Sequence, residues 1–327
     1  MSTMPDPHHS EAVDSSLVSV IVCAYNAQDF IAETLDSLLA QTWPRVEILV
    51  VDDGSTDGTA AIVQGYAPKV HYLHQANMGS SAARNTGVAA STGELLCFFD
   101  ADDLMPPERL RWQVDFLQRH PDVGFVLCDY RNFTAQGEAE CSHFQTCPQL
   151  LAWLNGRSEA VLDDACALLA QENFGITGTL LLRRSLLKQV PGFAAHLRGC
   201  EDFHFYFRLA RHSPMGIFNR VGMRRRMHDS NLTRNWARML PDAIRSYCAL
   251  RDTESNPHTR RLLNVLVAST WAALARHEAN QKQLYAALHH QLRAFITAPG
   301  WCMGLHTLRG MTRTLAIAAG LHHAEEN

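Results

Sequence analysis

Three carboxylates follow one apolar run, and their spacing suits metal and phosphate chemistry. The segment reads GELLCFFDADD and ends in Asp100, Asp102 and Asp103. Glycine opens it and Pro106-Pro107 follows it, the pattern of a buried strand that ends in a turn. Two carboxylates about 4 Å apart repel by roughly 4 kcal/mol at an effective dielectric of about 20. Such a group therefore usually has a cation or hydrogen-bond donors beside it.

The DxD pair, Asp100 and Asp102, is the sharpest of these features. Alternate residues of an extended segment point to one side, so both carboxylates can reach the same ligand. We expect Mg²⁺ or Mn²⁺, held by these carboxylates and by the phosphates of a nucleotide. The alternative is a strand-end turn in which Asp100 caps the next element, because DxD is short enough to occur by chance.

Two further polar groups also follow apolar runs. Tyr25-Asn26 follows the run from Leu17 to Ala24, and Asp52-Asp53-Gly54-Ser55 follows the run from Val46 to Val51. A carboxylate at the end of a strand can accept hydrogen bonds from a base or ribose. Asp, Gly and Ser are also ordinary residues of turns and helix caps. Tyr25 could lie on a base or simply pack.

Four other side chains are candidates, each with a structural alternative. Arg84 can neutralise a diphosphate or the acid cluster, or be a solvated helix charge. Asp202, with Glu201 before it, can act as a general base, although acids also favour the first turn of a helix. His228 follows a basic run and can complete a metal site or contact a phosphate, or be structural.

Strands and helices alternate along the first part of the chain. Strands are predicted at 17–24, 46–51, 70–73, 94–100 and 123–128, and helices are predicted between and after them, including 108–120, 203–211, 260–279 and 282–297. This order predicts an α/β fold with a mostly parallel sheet covered by helices. Ligands of such sheets bind outside the carboxyl ends of the strands, where one site can use all three polar groups described above.

Composition narrows the function classes. The chain has 327 residues, 46% hydrophobic content and a formal net charge of −4, which gives no footprint for nucleic-acid binding. Nine cysteines include no repeated CxxC pair, so we expect a reducing compartment. Cys141, His143 and Cys147 lack a fourth ligand for zinc. No apolar run is long enough to span a bilayer, so we expect a cytoplasmic protein, with peripheral contact at the inner face of the membrane left open.

Five ordered blocks carry a family resemblance: SVIVCAYNA, ILVVDDGSTDGT, NMGSSAARNTG, FFDADD and GCEDFHFYFRLAR. Together they resemble the family 2 glycosyltransferases, nucleotide-sugar-dependent enzymes of the GT-A fold. The likeness runs from Leu17 to about Arg234. One departure is Cys23, where many members carry proline.

Composition, pattern and the resemblance together predict a domain plan. Residues 1–16, rich in Ser, Pro, His and acid, are predicted to be a disordered leader, and the resemblance implies a GT-A domain over 17–235. Within that domain, 17–130 would bind the nucleotide sugar and 131–235 would form the acceptor side. A helical region would occupy 236–327, where membrane contact or a homodimer interface is a further expectation.

The resemblance also implies roles by position. The nucleoside and nucleotide would contact Tyr25, Asn26, Asp53, Arg84 and Asp100. The metal and its diphosphate would lie near Asp100, Asp102 and His228, with the ribose also near the DxD pair. Asp202 would deprotonate the acceptor, supported by Glu201.

The implied reaction is inverting transfer of a sugar, most often from a UDP-sugar, to a hydroxyl of a glycan, lipid-linked or protein acceptor. Cell-surface glycan synthesis would be usual. The alternatives are a non-catalytic nucleotide-sugar-binding or scaffold protein and a sugar-nucleotide pyrophosphorylase. Pyrophosphorylases carry a glycine-rich basic loop where this chain has Ala24-Tyr25-Asn26-Ala27.

Overall fold

The computed structural model describes residues 16–229, 231 and 236–302. The predicted leader, except for residue 16, and the segment 303–327 of the predicted helical region lie outside these ranges. The chain divides into two compact units. The first contains 16–165, 172–196 and 205–228 among the described residues, and the second contains 166–171, 197–204 and the described residues from 229 onward. The predicted boundaries after residues 130 and 235 stay predictions.

The first unit contains a nine-stranded sheet, counted over the described residues. Its strands are β1 Val18–Ala24, β2 Val46–Asp52, β3 Val70–His74, β4 Leu95–Asp100, β5 Phe125–Thr134, β6 Gly137–Glu138, β7 Glu159–Leu162, β8 Leu181–Arg183 and β9 Met215–Arg226. Their order is β3-β2-β1-β4-β8-β5-β9-β7, with β6 paired to β5.

Two parallel blocks make up most of this sheet. In one block β1 lies between β2 and β4, with β3 outside β2; in the other β5 pairs with β9. The short strand β8 joins the blocks and runs antiparallel to both β4 and β5. The predicted mixed α/β fold with a mostly parallel sheet is confirmed.

Some helices pack on the sheet of the first unit, and others make up most of the second unit. They are α1 Ile31–Leu39, α2 Thr59–Gln64, α3 Ser80–Ala90, α4 Arg109–Arg119, α5 Pro148–Leu154, α6 Cys166–Gln171, α7 Glu201–Ala210, α8 Trp236–Asp252, α9 Pro257–Asn280, α10 Leu284–Thr297 and α11 Pro299–Cys302. No helix within the described ranges is long and apolar enough to cross a membrane.

The core of the first unit explains why β1, β2 and β4 read as continuous apolar runs. Val20 of β1, Val50 of β2 and Phe99 of β4 are at most 1% exposed, as expected for a parallel sheet with helices on its faces. The buried Arg109 of α4 donates from Nη1 to the carbonyl of Gly178 at 2.6 Å. This charge is thus hydrogen-bonded, and it ties α4 to the turn that leads into β8.

The second unit has its own small core. Leu240 and Ile244 of α8 pack with Leu274 of α9. On α9, Ala272 packs with Ala294 of α10. The predicted C-terminal helices are therefore present, and they pack on one another.

Candidate active site

The register of the sheet brings the predicted polar groups to one edge. Ala24 at the end of β1 is opposite Asp52 of β2, and Cys23 is opposite Asp100 of β4. The Asp53 backbone N–H donates to the Ala24 carbonyl at 2.8 Å. Tyr25, which follows β1 directly, lies at the same edge, as the sequence predicts.

Asp53 organises the loop that follows β3. Its carboxylate accepts hydrogen bonds from Gln75 Nε2 at 2.7 Å, Met78 N at 2.8 Å and Gly79 N at 2.7 Å. The residue is only 5% exposed. Gly54 beside it has φ +82°, and a Cβ there would lie 2.9 Å from Asn77 N. This close approach of two loops requires glycine.

The loop after β1 is fixed by Asn26. Its φ is +49°, a left-handed conformation that asparagine tolerates better than most residues. Its backbone N–H donates to Ser55 Oγ at 2.9 Å, and its Oδ1 accepts from Thr56 N at 2.8 Å. Tyr25 is held on this loop with 54% of its surface exposed. The loop therefore presents an exposed aromatic residue at the same edge of the sheet as Asp53.

Arg84 contacts the acid cluster. Its Nη2 lies 3.0 Å from Asp100 Oδ1, with side-chain exposures of 6% for the arginine and 46% for the aspartate. The guanidinium also lies over the Phe193 ring, 5.2 Å from its centroid. This contact corresponds to one of the roles considered for Arg84, the neutralisation of a carboxylate at the end of β4.

His228 lies against the second carboxylate of the DxD pair. Its Nε2 is 2.8 Å from Asp102 Oδ2, and its ring stacks on Phe30 with centroids 4.5 Å apart. Burial and then the negative charge of Asp100 raise the pKa of Asp102, although the contact with His228 opposes this. These two contacts fix the orientation of the imidazole.

Asp103 is buried behind the pair and is held by β9. Its Oδ1 accepts from Arg226 N at 2.8 Å, and Arg226 Nε donates to the Asp102 carbonyl at 2.8 Å. Burial, followed by the charges of Asp102 and Asp100, raises the pKa of Asp103 well above its usual value. The three carboxylates are thus mutually repulsive, and one arginine ties their turn to a neighbouring strand.

Sequence reasoning missed Arg226 and Phe30 as residues of this site. Arg226 lies over the rings of Phe30 and Phe133, at 5.3 and 4.6 Å, and its Nη2 lies 2.6 Å from Glu33 Oε2. The signal was present in the alternation of Arg226 with His228, which would point both side chains to one side of an extended segment.

The donor set fits a hard divalent cation that shares its shell with phosphates and water. Within the described residues, no group of three or more His, Cys, Asp or Glu side chains is arranged to hold a metal by itself. Mg²⁺ is commonly held by one or two carboxylates together with substrate phosphates. Burial and the charge of Asp100 raise the pKa of Asp102, and a cation held by these carboxylates would offset that rise.

Glu201 and Asp202 lie in the second unit, in the first turn of α7. Cys200 before them has φ +58°, and Asp202 Oδ1 accepts from Phe203 N at 2.6 Å. Burial, with the charge of Asp202 next in importance, raises the pKa of the Cys200 thiol to about 12. Their catalytic roles stay predictions.

A family profile described as glycosyl transferase family 2 matches residues 19–190. The chain belongs to this family. An uncharacterized glycosyltransferase of Rickettsia typhi is 31% identical over 222 residues, which span 67% of this chain and 66% of that protein. This family 2 chain thus matches slightly less than two thirds of the length of that relative.

Solved structures agree on the fold. Residues 1–349 of TarS from S. aureus align with a TM-score of 0.64 at 19% identity, covering 93% of this chain and 90% of that chain. A mannosyltransferase from Pyrobaculum calidifontis, solved with GDP-Man and Mn²⁺, aligns with a TM-score of 0.59 at 23% identity, covering 93% and 86%. The family 2 chain therefore has the fold of these glycosyltransferases.

Proposed function

We propose that this protein transfers a sugar from a nucleoside-diphosphate donor, a UDP-sugar, to an acceptor hydroxyl with inversion at the anomeric carbon. The observation that carries the proposal is the sheet edge at which Tyr25, Asp53, Asp100 and Asp102 come together. Family membership supports nucleotide-sugar transfer. TarS was also solved with UDP-GlcNAc, which supports a UDP-sugar as the donor.

On the donor side, the chain would bind and orient the nucleotide. The exposed Tyr25 ring offers a stacking surface for the base. Asp53 accepts three hydrogen bonds, and a carboxylate has about four acceptor positions, so one remains for a donor of the nucleoside. Asn26 would act by shaping this loop.

At the diphosphate, Asp100 and Asp102 would hold Mg²⁺ or Mn²⁺, with His228 fixed against Asp102. The bound cation would supply positive charge that stabilises the departing diphosphate. Arg84 would keep Asp100 oriented through their contact at 3.0 Å.

On the acceptor side, Asp202 would accept the proton of the attacking hydroxyl, with Glu201 supporting it. The acceptor would be a glycan, a lipid-linked sugar or a protein, in cell-surface glycan synthesis on the cytoplasmic side of the membrane. The C-terminal helices would provide membrane contact or a homodimer interface. General-base catalysis of this kind contributes roughly 10²–10⁴ in rate.

The first experiment is a thermal-shift panel of UDP- and GDP-sugars with and without Mn²⁺. A shift for one donor that depends on Mn²⁺ identifies the nucleotide, and Asp100→Asn or Asp102→Asn should reduce that shift. No shift with any donor would contradict the donor site.

The second experiment measures turnover of the identified donor. Asp202→Asn should lower turnover by roughly 10²–10⁴ and leave the Mn²⁺-dependent donor shift intact. Asp122→Asn, which changes an exposed aspartate in the same way, is the matched control. Full turnover in pure Asp202→Asn protein would remove Asp202 from the role of base. Donor binding without turnover in the wild-type protein would favour a scaffold.

A further inference from the structure

Helix α10 carries a strip of large apolar side chains that are exposed to solvent. Their exposures run from 40% to 87%, with Tyr285 the most exposed. We call this surface the α10 strip; its members are Leu284, Tyr285, Leu288, Leu292, Phe295 and Ile296. Most of the other large apolar side chains of the described residues are buried or half-buried, so the strip is a local exception.

The strip is one continuous side of the helix. At about 100° per residue, its six members fall within an arc of about 120°. The buried side of α10, with Ala287, Gln291 and Ala294, lies next to this arc. His289 and Arg293 lie on its other border and are exposed. The sequence of α10 thus builds three sides: one packed, one apolar and exposed, and one polar.

Contacts with α9 fix which side of α10 is exposed. His290 Nδ1 is 2.6 Å from Glu278 Oε2, and the His290 ring stacks on Trp271 with centroids 4.9 Å apart. Ala294 packs on Ala272. Rotation of α10 to bury the strip would break these contacts, so the strip is a fixed surface of the second unit.

The net charge of residues 257–302, which include α9 and α10, differs in sign from that of the whole chain. Residues 257–302 contain five Lys or Arg and one Glu, a formal charge of 5 − 1 = +4, whereas the whole chain carries −4. The basic residues are Arg260, Arg261, Arg276, Lys282 and Arg293. Helix α10 itself contains no acid. An apolar strip in a basic region attracts a surface that is apolar and anionic.

We propose that the α10 strip binds an anionic lipid surface. A second copy of this chain would bring the same +4 region, and like charges would oppose the pairing. The segment 303–327 contains two Arg and two Glu, so it offers no net opposite charge. Anionic lipid supplies both the apolar phase and the opposite charge.

The dimensions suit a helix that lies along the membrane surface. The 14 residues of α10 rise about 21 Å, which is shorter than a hydrocarbon core of about 30 Å. Tyr285 at one end of the strip is a residue type favoured at the lipid–water interface. This proposal is independent of the proposed reaction, because it rests only on the second unit.

The test is co-sedimentation of the full chain with lipid vesicles. We expect binding to vesicles of phosphatidylcholine and phosphatidylglycerol mixed at roughly 7:3, and much weaker binding to phosphatidylcholine alone. Leu292→Ser combined with Ile296→Ser should weaken binding more than about tenfold, because both side chains would leave the lipid phase. Lys282→Gln should weaken it about fivefold.

Matched variants elsewhere separate the strip from general effects. Leu39→Ser removes an exposed leucine of α1, and Lys69→Gln removes an exposed lysine; neither should change vesicle binding by more than about twofold. Circular dichroism and the thermal unfolding midpoint verify that each variant is folded.

Three results would overturn the proposal. The first is failure of the full chain to bind anionic vesicles, as expected if another part of the chain covers the strip. The second is binding that the double serine variant leaves unchanged. The third is a fall in mass by light scattering from dimer to monomer in that variant, which would assign the strip to a second copy.

Discussion

Asp53 is expected to stabilise the fold in the absence of any nucleotide. Its two carboxylate oxygens accept three hydrogen bonds within 2.8 Å while the residue is 5% exposed. In Asp53→Asn, the amide nitrogen must replace one oxygen and would then face an N–H, donor against donor. One charge-assisted bond is lost, and the others become bonds to a neutral acceptor.

The expected loss follows from these bonds. A hydrogen bond to a charged group contributes about 1.5–3 kcal/mol, and a neutral one about 1 kcal/mol. Losing one charge-assisted bond and weakening two to neutral ones gives at least about 2.5 kcal/mol. For a unit of about 200 residues, each kcal/mol lowers the unfolding temperature by about 2–4 °C, so we expect a fall of at least about 5 °C.

The assay is thermal unfolding of nucleotide-free protein, followed by titration with UDP and Mn²⁺. Asp122→Asn is the control and should change the midpoint by less than about 2 °C. UDP affinity should also fall in Asp53→Asn, because the loop held by Asp53 leads into α3, which carries Arg84. An unchanged midpoint with weakened UDP binding would refute the structural role and leave Asp53 as a ligand contact only.

Three further predictions concern other parts of the first unit. Burial alone would raise the pKa of Glu47, but hydrogen bonds outweigh it and the pKa is lowered from 4.5. Above about pH 4.5, Glu47→Gln should therefore be less stable than the wild type. The difference between their urea midpoints should vanish as the pH falls through the lowered pKa. Arg226→Gln should raise the Mn²⁺ concentration for half-maximal activity about tenfold by loosening the Asp102 turn, and Arg226→Lys should recover only part of this. Gly87→Ala would place a methyl group 2.3 Å from Ile21 Cγ2 and should cost about 1–3 kcal/mol in unfolding free energy.

Each of these has a distinct contradictory result. If the difference in urea midpoint between Glu47→Gln and the wild type grows at acidic pH, the lowered pKa of Glu47 in the folded state is contradicted. If Arg226→Lys needs the same Mn²⁺ concentration for half-maximal activity as the wild type, the positive charge alone accounts for the role of Arg226. The cost of Gly87→Ala should be smaller in an Ile21→Ala background, and strictly additive effects would show that the two positions do not touch.

The sequence predicted the strands of the first block because each is a continuous apolar run with clear turn residues after it. The run Val46 to Val51 makes up all of β2 except its last residue, Asp52, and Asp53 follows the strand. The same pattern predicts that Tyr25, Asp53 and Asp100 lie at one edge of the sheet. A parallel sheet needs no further signal, because burial on both faces makes its strands apolar throughout.

The strands of the second block are harder to predict from the sequence, because they are not continuous apolar runs. Strand β9 ends in Met223–Arg226, a run whose three arginines suggest solvent. Two of them, Arg224 and Arg226, instead lie over the Phe133 ring and pair with Glu138 and Glu33, respectively. Strand β5 continues to Thr134, beyond the predicted end at Cys128, through two register irregularities. Neither a polar strand nor an irregular one has a periodic signature, so Arg226 went unrecognised.

Strand β8 has a consequence for the order in which the chain folds during synthesis. Leu95 to Cys97 of β4 and Phe125-Val126 of β5 both pair with this three-residue strand. Until residues 181–183 leave the ribosome, the edges of β4 and β5 that pair with β8 are both open in the nascent chain. Unpaired edges of apolar strands invite association with other chains. A fragment that ends before β8 should therefore aggregate more than one that continues through β9, which covers the other edge of β5.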